Sequence, residues 1–320
     1  MQARMRLLAA IDVGTNTVRM LVAAKEGGRL RPVLRRRRIT GLGKSLRENG
    51  AIGEKEFRNS IAALREFRRE MDALGVAWYR ACGTAGLREA SNRDAFLSAA
   101  AGKGVSVEII SAREEARRTW EGVTGHAKAG GGALVMDIGG GSTEFIAGPK
   151  EGDSISLPIG VVVLLGSFRL SDPPLRTELR NLAYFLADRI AAGTRGWQRR
   201  TFRRMVGTAG TFTTLAALDM RMKAYRPERI DGFRMDVSAV RRWEKRLCRL
   251  PEAERLRLPG MEKGRERYIV PGVIQALSAM EIFGLSNLYI SDSGLLEGIL
   301  RGIANGKGEG EWRGKGWKKG

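Results

Sequence analysis

Short apolar runs alternate with amphipathic stretches along this chain. Residues 7–11 read as a buried strand, 17–24 as a second after a glycine turn, and Gly27-Gly28 turns into a third over 30–40. Phe57, Ile61, Leu64, Phe67 and Met71 recur at helical spacing and predict a helix over 54–74. A strand over 76–82, a helix over 92–101, a short strand over 106–110 and a helix over 111–124 follow. Ser111, with Glu114 three positions on, forms a capping-box pair at the start of that last helix. After a glycine-rich connection at 127–132 the plan restarts, with strands at 133–137, 143–148 and 153–157 and a helix over 174–194. A strand at 205–206 enters a third glycine-rich turn and a helix over 212–218; helices over 236–248 and 268–284, a strand at 288–291 and a helix over 295–303 close the pattern. Such alternation in two similar halves predicts an α/β fold with two lobes, 1–125 and 126–304. Residues 305–320 lack apolar periodicity and read as a disordered basic tail.

The halves share more than their order of elements. The loop Ala10-Ile11-Asp12-Val13-Gly14-Thr15-Asn16-Thr17-Val18-Arg19 is echoed by Met136-Asp137-Ile138-Gly139-Gly140-Gly141-Ser142-Thr143-Glu144. Asp12 aligns with Asp137, Gly14 with Gly139, Thr17 with Ser142 and Arg19 with Glu144. A turn with so little side-chain bulk lets backbone N–H groups approach phosphate oxygens. Its aspartate suits Mg²⁺, which is held by one or two carboxylates together with phosphate. Two such loops predict a duplicated domain with a phosphate site in the cleft between the copies.

Composition sharpens this only in part. The chain has 320 residues, 43% hydrophobic and 28% charged, which fits a folded chain of about two domains. The net charge of +21 favours polyanions as partners; a merely solvated basic surface is the plain alternative. The run Arg35-Arg36-Arg37-Arg38, and Arg199-Arg200 with Arg203-Arg204, would extend an anion track or remain solvated. Cys82 and Cys248 form no CxxC pair, so a reducing cytoplasm is expected, and neither a signal peptide nor a membrane-spanning run is evident. The single histidine, His126, lies in the glycine-rich connection, which disfavours histidine nucleophiles and serine–histidine pairs.

Six motifs in order resemble the Ppx/GppA phosphatases, the exopolyphosphatases and guanosine pentaphosphate phosphohydrolases of the actin, Hsp70 and sugar kinase superfamily. They are the two loops above, Ile110-Ser111 with Glu114-Glu115-Ala116, Ser156-Leu157-Pro158-Ile159-Gly160, Gly207-Thr208-Ala209-Gly210-Thr211, and Ser291-Asp292-Ser293-Gly294-Leu295. The likeness spans 7 to about 303 and is to the short form of the family. It implies two actin-like (ribonuclease H-like) lobes and Mg²⁺-dependent release of the terminal phosphate of polyphosphate, pppGpp or both. Glu115 is the implied general base, and Glu144 a residue orienting water or metal. Asp12 and Asp137, with Glu144, are the metal candidates; an aspartate after a strand can instead simply cap its turn. Gly14, Thr15, Asn16, Thr17 and Arg19 from the first loop, and Gly139, Gly140, Gly141, Ser142 and Thr143 from the second, are the phosphate candidates. Gly207, Thr208, Gly210 and Thr211 would take further phosphates, and Arg265 would clamp an extended polyanion or an alarmone. Glu114 and Glu115 could otherwise only complement their helix dipole.

The chain departs from the family at Leu296, where an arginine is usual, and at Ala85-Gly86, where bulkier residues are usual. Both changes are expected near phosphate-handling elements and bear on substrate choice. Two other classes stay open: a non-catalytic alarmone or polyphosphate regulator, and a kinase with an adenosine pocket. Guanosine tetra- or pentaphosphate and inorganic polyphosphate are the expected partners. A homodimer is left open, no membrane is expected, and nucleic acid is disfavoured because no recognition helix or aromatic platform is evident.

Overall fold

The structure, a computed structural model, describes residues 6–125, 132–150, 152–197 and 199–306. Two compact units divide the chain: Met1–Gly122 with Leu295–Gly320, and Val123–Gly294. The sequence reading placed 126–304 in one lobe. The helix Leu295–Ala304 instead belongs to the first unit, where Leu295, Leu296, Ile299 and Leu300 pack on Leu8, Ala10, Leu21, Cys82 and Ile110. A strictly sequential boundary cannot anticipate this return, because the helix's apolar stripe fits either half. His126 and the expected tail from 307 onward lie outside the described residues.

The first unit holds a five-stranded sheet of β1 (Arg6–Val13), β2 (Thr17–Glu26), β3 (Arg29–Ile39), β4 (Trp78–Gly83) and β5 (Val107–Ile109), ordered β3-β2-β1-β4-β5. The second holds β6 (Ala133–Ile138), β7 (Thr143–Ile146), β8 (Ser154–Leu157), β9 (Arg204–Thr208), β10 (Arg234–Asp236) and β11 (Asn287–Ile290), ordered β10-β11-β9-β6-β7-β8. Each sheet begins with an antiparallel meander of three strands and continues through parallel crossovers. Read as β3-β2-β1-β4-β5 against β8-β7-β6-β9-β11, the two orders coincide, and β10 is an addition at one edge. The echo seen in two loops therefore extends to whole domains.

Local signals account for the helices. In Glu54–Leu74, Leu64, Phe67 and Met71 are buried, and Gly75 ends the helix at φ 65°, a conformation that costs glycine little. Alternation in β1 and β2 gives way to near-continuous burial because both faces of this sheet are covered. Short helices at Ala85–Glu89 and Val161–Ser167, and strand β10, were not anticipated; each is too short for its periodicity to show. Cys82 and Cys248 are both free and buried, and burial pushes the Cys248 thiol up to about 12. Among the described residues no helix is long and apolar enough to cross a membrane.

Candidate functional site

The two glycine loops have the same backbone construction. Gly14 N–H donates to the Thr17 carbonyl and Gly139 N–H to the Ser142 carbonyl, both at 3.0 Å. A Cβ on either glycine would meet that same carbonyl at 3.1 and 3.0 Å, so both turns close tightly. In each, the carbonyls are then consumed by the segment packed against the loop. In the first, Thr15 O accepts from Gly43 N (2.7 Å), and Asn16 O accepts from Thr40 N (3.1 Å) and Gly41 N (3.0 Å). In the second, Gly141 O accepts from Gly160 N (3.1 Å), Gly139 O from Val161 N (3.0 Å) and Gly140 O from Val162 N (2.9 Å). Among the described residues nothing accepts from the N–H groups of Thr15, Asn16, Gly140 or Gly141. Loops with carbonyls turned away and amides unspent are anion nests.

The residues flanking these turns diverge. Asp12 lies opposite Arg19 across β1 and β2, and Asp137 lies opposite Glu144 across β6 and β7. Residues so paired project on the same face of a sheet. Asp12, 3% exposed, accepts from Arg19 Nε at 2.9 Å and Nη2 at 2.6 Å through Oδ2. Its buried Oδ1 has no hydrogen-bond partner among the described residues. Glu144, 2% exposed, accepts through Oε1 from Ser142 Oγ (2.6 Å) and Ser156 Oγ (2.8 Å). Two carboxylates directly opposite each other repel, and a cation between them removes that cost. The carboxylate oxygens of Asp137 and Glu144 are donors of the kind that a hard divalent cation takes. Asp12 in the first unit has one oxygen committed to Arg19 and one left over.

Glu115 stands near the start of the helix Ala112–Thr124, half-buried, with Oε2 accepting from Arg88 Nη1 at 2.7 Å. Arg88 also donates to the Ile110 carbonyl at 3.0 Å, so the guanidinium ties Glu115 to the strand end that launches its helix. Ser111 Oγ accepts from Glu114 N (3.1 Å), the expected cap. The reciprocal half of the capping box is not made. The Glu114 carboxylate instead accepts from Arg80 Nη2 at 2.9 Å, and Arg80, 5% exposed, also binds Glu108. Burial raises Glu108, with Arg80 opposing it; burial also works upward on Glu114, but Arg80, then Arg118 and Arg117, hold it below its ordinary value. Arg118, 6% exposed, joins the cluster at Glu114 (3.5 Å), also binds Glu121 (3.1 Å), and is seated against the final helix, where a Cβ on Gly298 would come within 1.8 Å of the Arg118 carbonyl. Arg80, Arg88, Arg118 and Gly298 thus fix the Glu115 helix, and only partners distant in sequence reveal it.

The third loop is built differently. Ala209 adopts φ 69° and ψ −174°, a region essentially reserved for glycine, immediately before the helix Gly210–Asp219. Gly207 has no room for a side chain beside the Phe212 ring, and a Cβ on Gly210 would fall 2.1 Å from the Arg265 guanidinium carbon. Arg265 therefore lies directly across Gly210, so the structure brings this pair of expected residues together. Thr208 Oγ1 donates to the Ser293 carbonyl (2.8 Å) and Ser291 N to the Gly207 carbonyl (2.9 Å), so 291–293 clamps this loop. Thr211 is buried against Gly272. Thr143 Oγ1 donates to Gln275 Oε1 (3.3 Å), and Gln275 Nε2 donates to the Ile159 carbonyl (3.0 Å); Gln275 thereby ties the exit of the second loop to the segment packed against it, a residue the sequence reading does not single out. Its signal, one amide in the apolar stretch 269–280, was present in the sequence.

Leu296, Gly86 and the Arg35–38 run each have a defined place. Leu296 is 7% exposed and packs in the apolar core of the first unit. Gly86 packs against Leu42 and Thr15, where a Cβ would meet atoms at 3.0 to 3.2 Å, so its small size accommodates the first loop. The Arg35–38 run is largely neutralised: Arg35 pairs with Glu297, Arg36 with Glu70 and Arg38 with Glu66.

A duplicated α/β unit carrying paired glycine loops after a carboxylate-tipped strand is the frame of the two-lobed actin-like proteins that handle phosphoanhydrides. Within that class the match is specific: residues 21–306 match the model of the Ppx/GppA phosphatase family, and the chain belongs to that family. It is 32% identical over 308 residues to exopolyphosphatase 2 of Mycobacterium tuberculosis, covering 91% of this chain and 97% of that one. It is 28% identical over 302 residues to a guanosine-5'-triphosphate,3'-diphosphate pyrophosphatase of Aeromonas hydrophila, of which it spans 58%. The crystal structure of the Aquifex aeolicus family member superposes with a TM-score of 0.80 at 32% identity, over 95% of this chain and 99% of that one.

Proposed function

We propose that this chain is a magnesium-dependent phosphohydrolase that releases the terminal phosphate of inorganic polyphosphate, pppGpp or both. The observation that carries the reading is the shared backbone of the two loops, whose carbonyls are engaged by a neighbouring segment while the amides of Thr15, Asn16, Gly140 and Gly141 remain for an anion. The names of the two relatives above supply the substrate classes.

Roles divide between the units. In the first, Thr15, Asn16 and Thr17 offer polar groups to phosphate oxygens, Arg19 offers a cation, and Glu115 takes a proton from the attacking water. Arg88 orients Glu115 by donating to its Oε2. In the second, Gly139, Gly140, Gly141 and Ser142 cradle the phosphoryl group, and Asp137 and Glu144 are the groups that would hold the metal there; Asp12 is the metal candidate of the first unit. When bound, magnesium neutralises charge on the phosphoryl oxygens and on the leaving oxygen. Ser142 and Ser156 donate to Glu144 and keep its carboxylate oriented. Gly207, Thr208, Gly210, Thr211 and Arg265 take up phosphates further along the chain. The reading includes a cytoplasmic location, with which two buried free cysteines are compatible.

Phosphate release from long-chain polyphosphate, pppGpp and ATP with Mg²⁺, by wild type and Glu115→Gln, tests this. The expected result is release from one or both of the first two, reduced about 10²–10⁴-fold in the variant. Tight binding of polyphosphate or ppGpp without turnover would make the protein a regulator instead, and transfer from ATP to an acceptor would make it a kinase.

A further inference from the structure

The helix Val237–Arg249 in the second unit carries a stripe of cations that nothing described above uses. Ala239, Val240, Leu247 and Cys248 are buried, and the opposite face presents Arg242, Lys245, Arg246 and Arg249, all exposed. The spacing i, i+3, i+4, i+7 aligns the four on one face over about 10 Å of helix. Among the described residues none of the four makes an ion pair within 4 Å; Arg242 donates to Ser238 Oγ at 3.1 Å, and Asp236 and Glu244 offset Arg242 and Lys245 only at longer range. Like charges at these spacings repel and lower the stability of the helix, so the stripe persists at a cost that a bound polyanion would remove. The contrast with β3 is direct, since Arg35, Arg36 and Arg38 there are each matched by a glutamate.

The stripe is linked to the third loop. Trp243 Nε1 donates to Asp219 Oδ1 at 2.7 Å, and Asp219 ends the helix whose first residue, Gly210, lies under Arg265. Ten residues of helix are about 15 Å long, a span that an extended chain of several phosphates crosses. We propose that Arg242, Lys245, Arg246 and Arg249 form a docking stripe for the distal part of a long inorganic polyphosphate chain whose nearer phosphates lie at Arg265 and the third loop. This rests on the hydrolase reading above. A polymer of phosphate alone fits better than a nucleic acid. The one aromatic side chain of this helix, Trp243, is half-buried, carries the Arg246 guanidinium 5.3 Å from its ring centre and has its N–H engaged, so it offers bases no stacking platform. A membrane surface fits worse too, since the apolar residues of the helix face the core.

The test compares wild type with Arg242→Gln/Lys245→Gln/Arg249→Gln, and with Lys245→Gln/Arg249→Gln as a milder form, on long-chain polyphosphate and on tripolyphosphate at several salt concentrations. Thermal melting confirms that both variants fold. The expected result is a KM for long chains raised about tenfold in the triple variant, with kcat and the tripolyphosphate KM unchanged. The slope of log KM against log salt should fall by about 2, at roughly 0.7 per lost contact. Equal changes for both substrates, or none for either, would overturn the stripe. So would loss of affinity for single-stranded RNA with polyphosphate KM unaltered, which would assign the surface to nucleic acid. If the wild type hydrolyses neither substrate, the hydrolase reading fails by itself. Direct titration with long-chain polyphosphate then decides the stripe, binding that weakens in the variants supporting it and unaltered or absent binding refuting it.

Discussion

The loop after β1 and the loop after β6 differ chiefly in what stands across the strand from their aspartates. Backbone bonds, glycine positions and the way a neighbouring segment consumes the carbonyls are the same. Asp12 faces Arg19, an internally neutral pair, whereas Asp137 faces Glu144, a pair of acids. One duplicated turn is thus flanked by an ion pair in its first copy and by two carboxylates in its second. The scaffold supplies amides to both, and a single flanking residue sets the charge of each.

The largest effect is expected from erasing that difference. Glu144→Arg gives the second loop the charge pattern of the first, and should lower kcat by about 10³-fold while circular dichroism stays that of the folded protein. A neighbouring contrast comes next. By strand register Arg80 of β4 occupies the place that Val206 holds in β9. Val206 is a buried apolar residue, whereas Arg80 bridges Glu108 and Glu114. Arg80→Ala leaves both acids without it and should cost about 3 kcal/mol in denaturant unfolding, against about 1 kcal/mol for Val206→Ala.

A finer test concerns how the loops are pinned. A Cβ on Gly160 would fall 2.3 Å from the Gly140 carbonyl oxygen, which is backbone, whereas one on Gly43 would fall 2.1 Å from Thr15 Cγ2, the end of a side chain that can rotate. Gly160→Ala should therefore destabilise by about 1–3 kcal/mol and raise KM, and Gly43→Ala should do less on both counts. Equal losses would break the distinction.

Acid adds a smaller effect. Glu114 sits below its ordinary value near 4.5 because Arg80, Arg118 and Arg117 outweigh burial. A carboxyl with a depressed folded pKa adds stability above its unfolded pKa, and that stability is lost as pH falls through the folded value. Glu108 is raised, so its contribution has the opposite sign. Unfolding midpoints followed downward from pH 5 should fall less steeply in Glu114→Gln than in wild type. Smallest of all, Ala209→Gly should relieve the strained backbone before Gly210 and shift the melting temperature upward by a degree or two, roughly what less than 1 kcal/mol gives.

Much of this was legible in the sequence, because the doubled loop is a local signal. Asp12, Gly14, Asp137, Gly139 and Glu144 announce themselves by spacing, and the strand order follows from the duplication. A second echo, Gly-Thr-Ala-Gly at 83–86 and again at 207–210, marks the turns after β4 and β9. What escaped depends on partners far apart in the chain. Gln275 meets Thr143, Arg80 meets Glu114, and Gly298 meets Arg118 across 132, 34 and 180 positions. The packing of the final helix on the first unit is hidden for the same reason, as are the glutamates that pair with the β3 arginines from other elements.

The most direct test of the account is a Mg²⁺ titration of phosphate release from the preferred substrate by wild type, Arg19→Gln and Glu144→Gln. The account predicts that Glu144→Gln lowers kcat and moves half-activation to higher Mg²⁺, while Arg19→Gln raises substrate KM without moving it. The same Mg²⁺ requirement in all three proteins, or a shift caused by Arg19→Gln alone, would contradict the division of roles between the two loops.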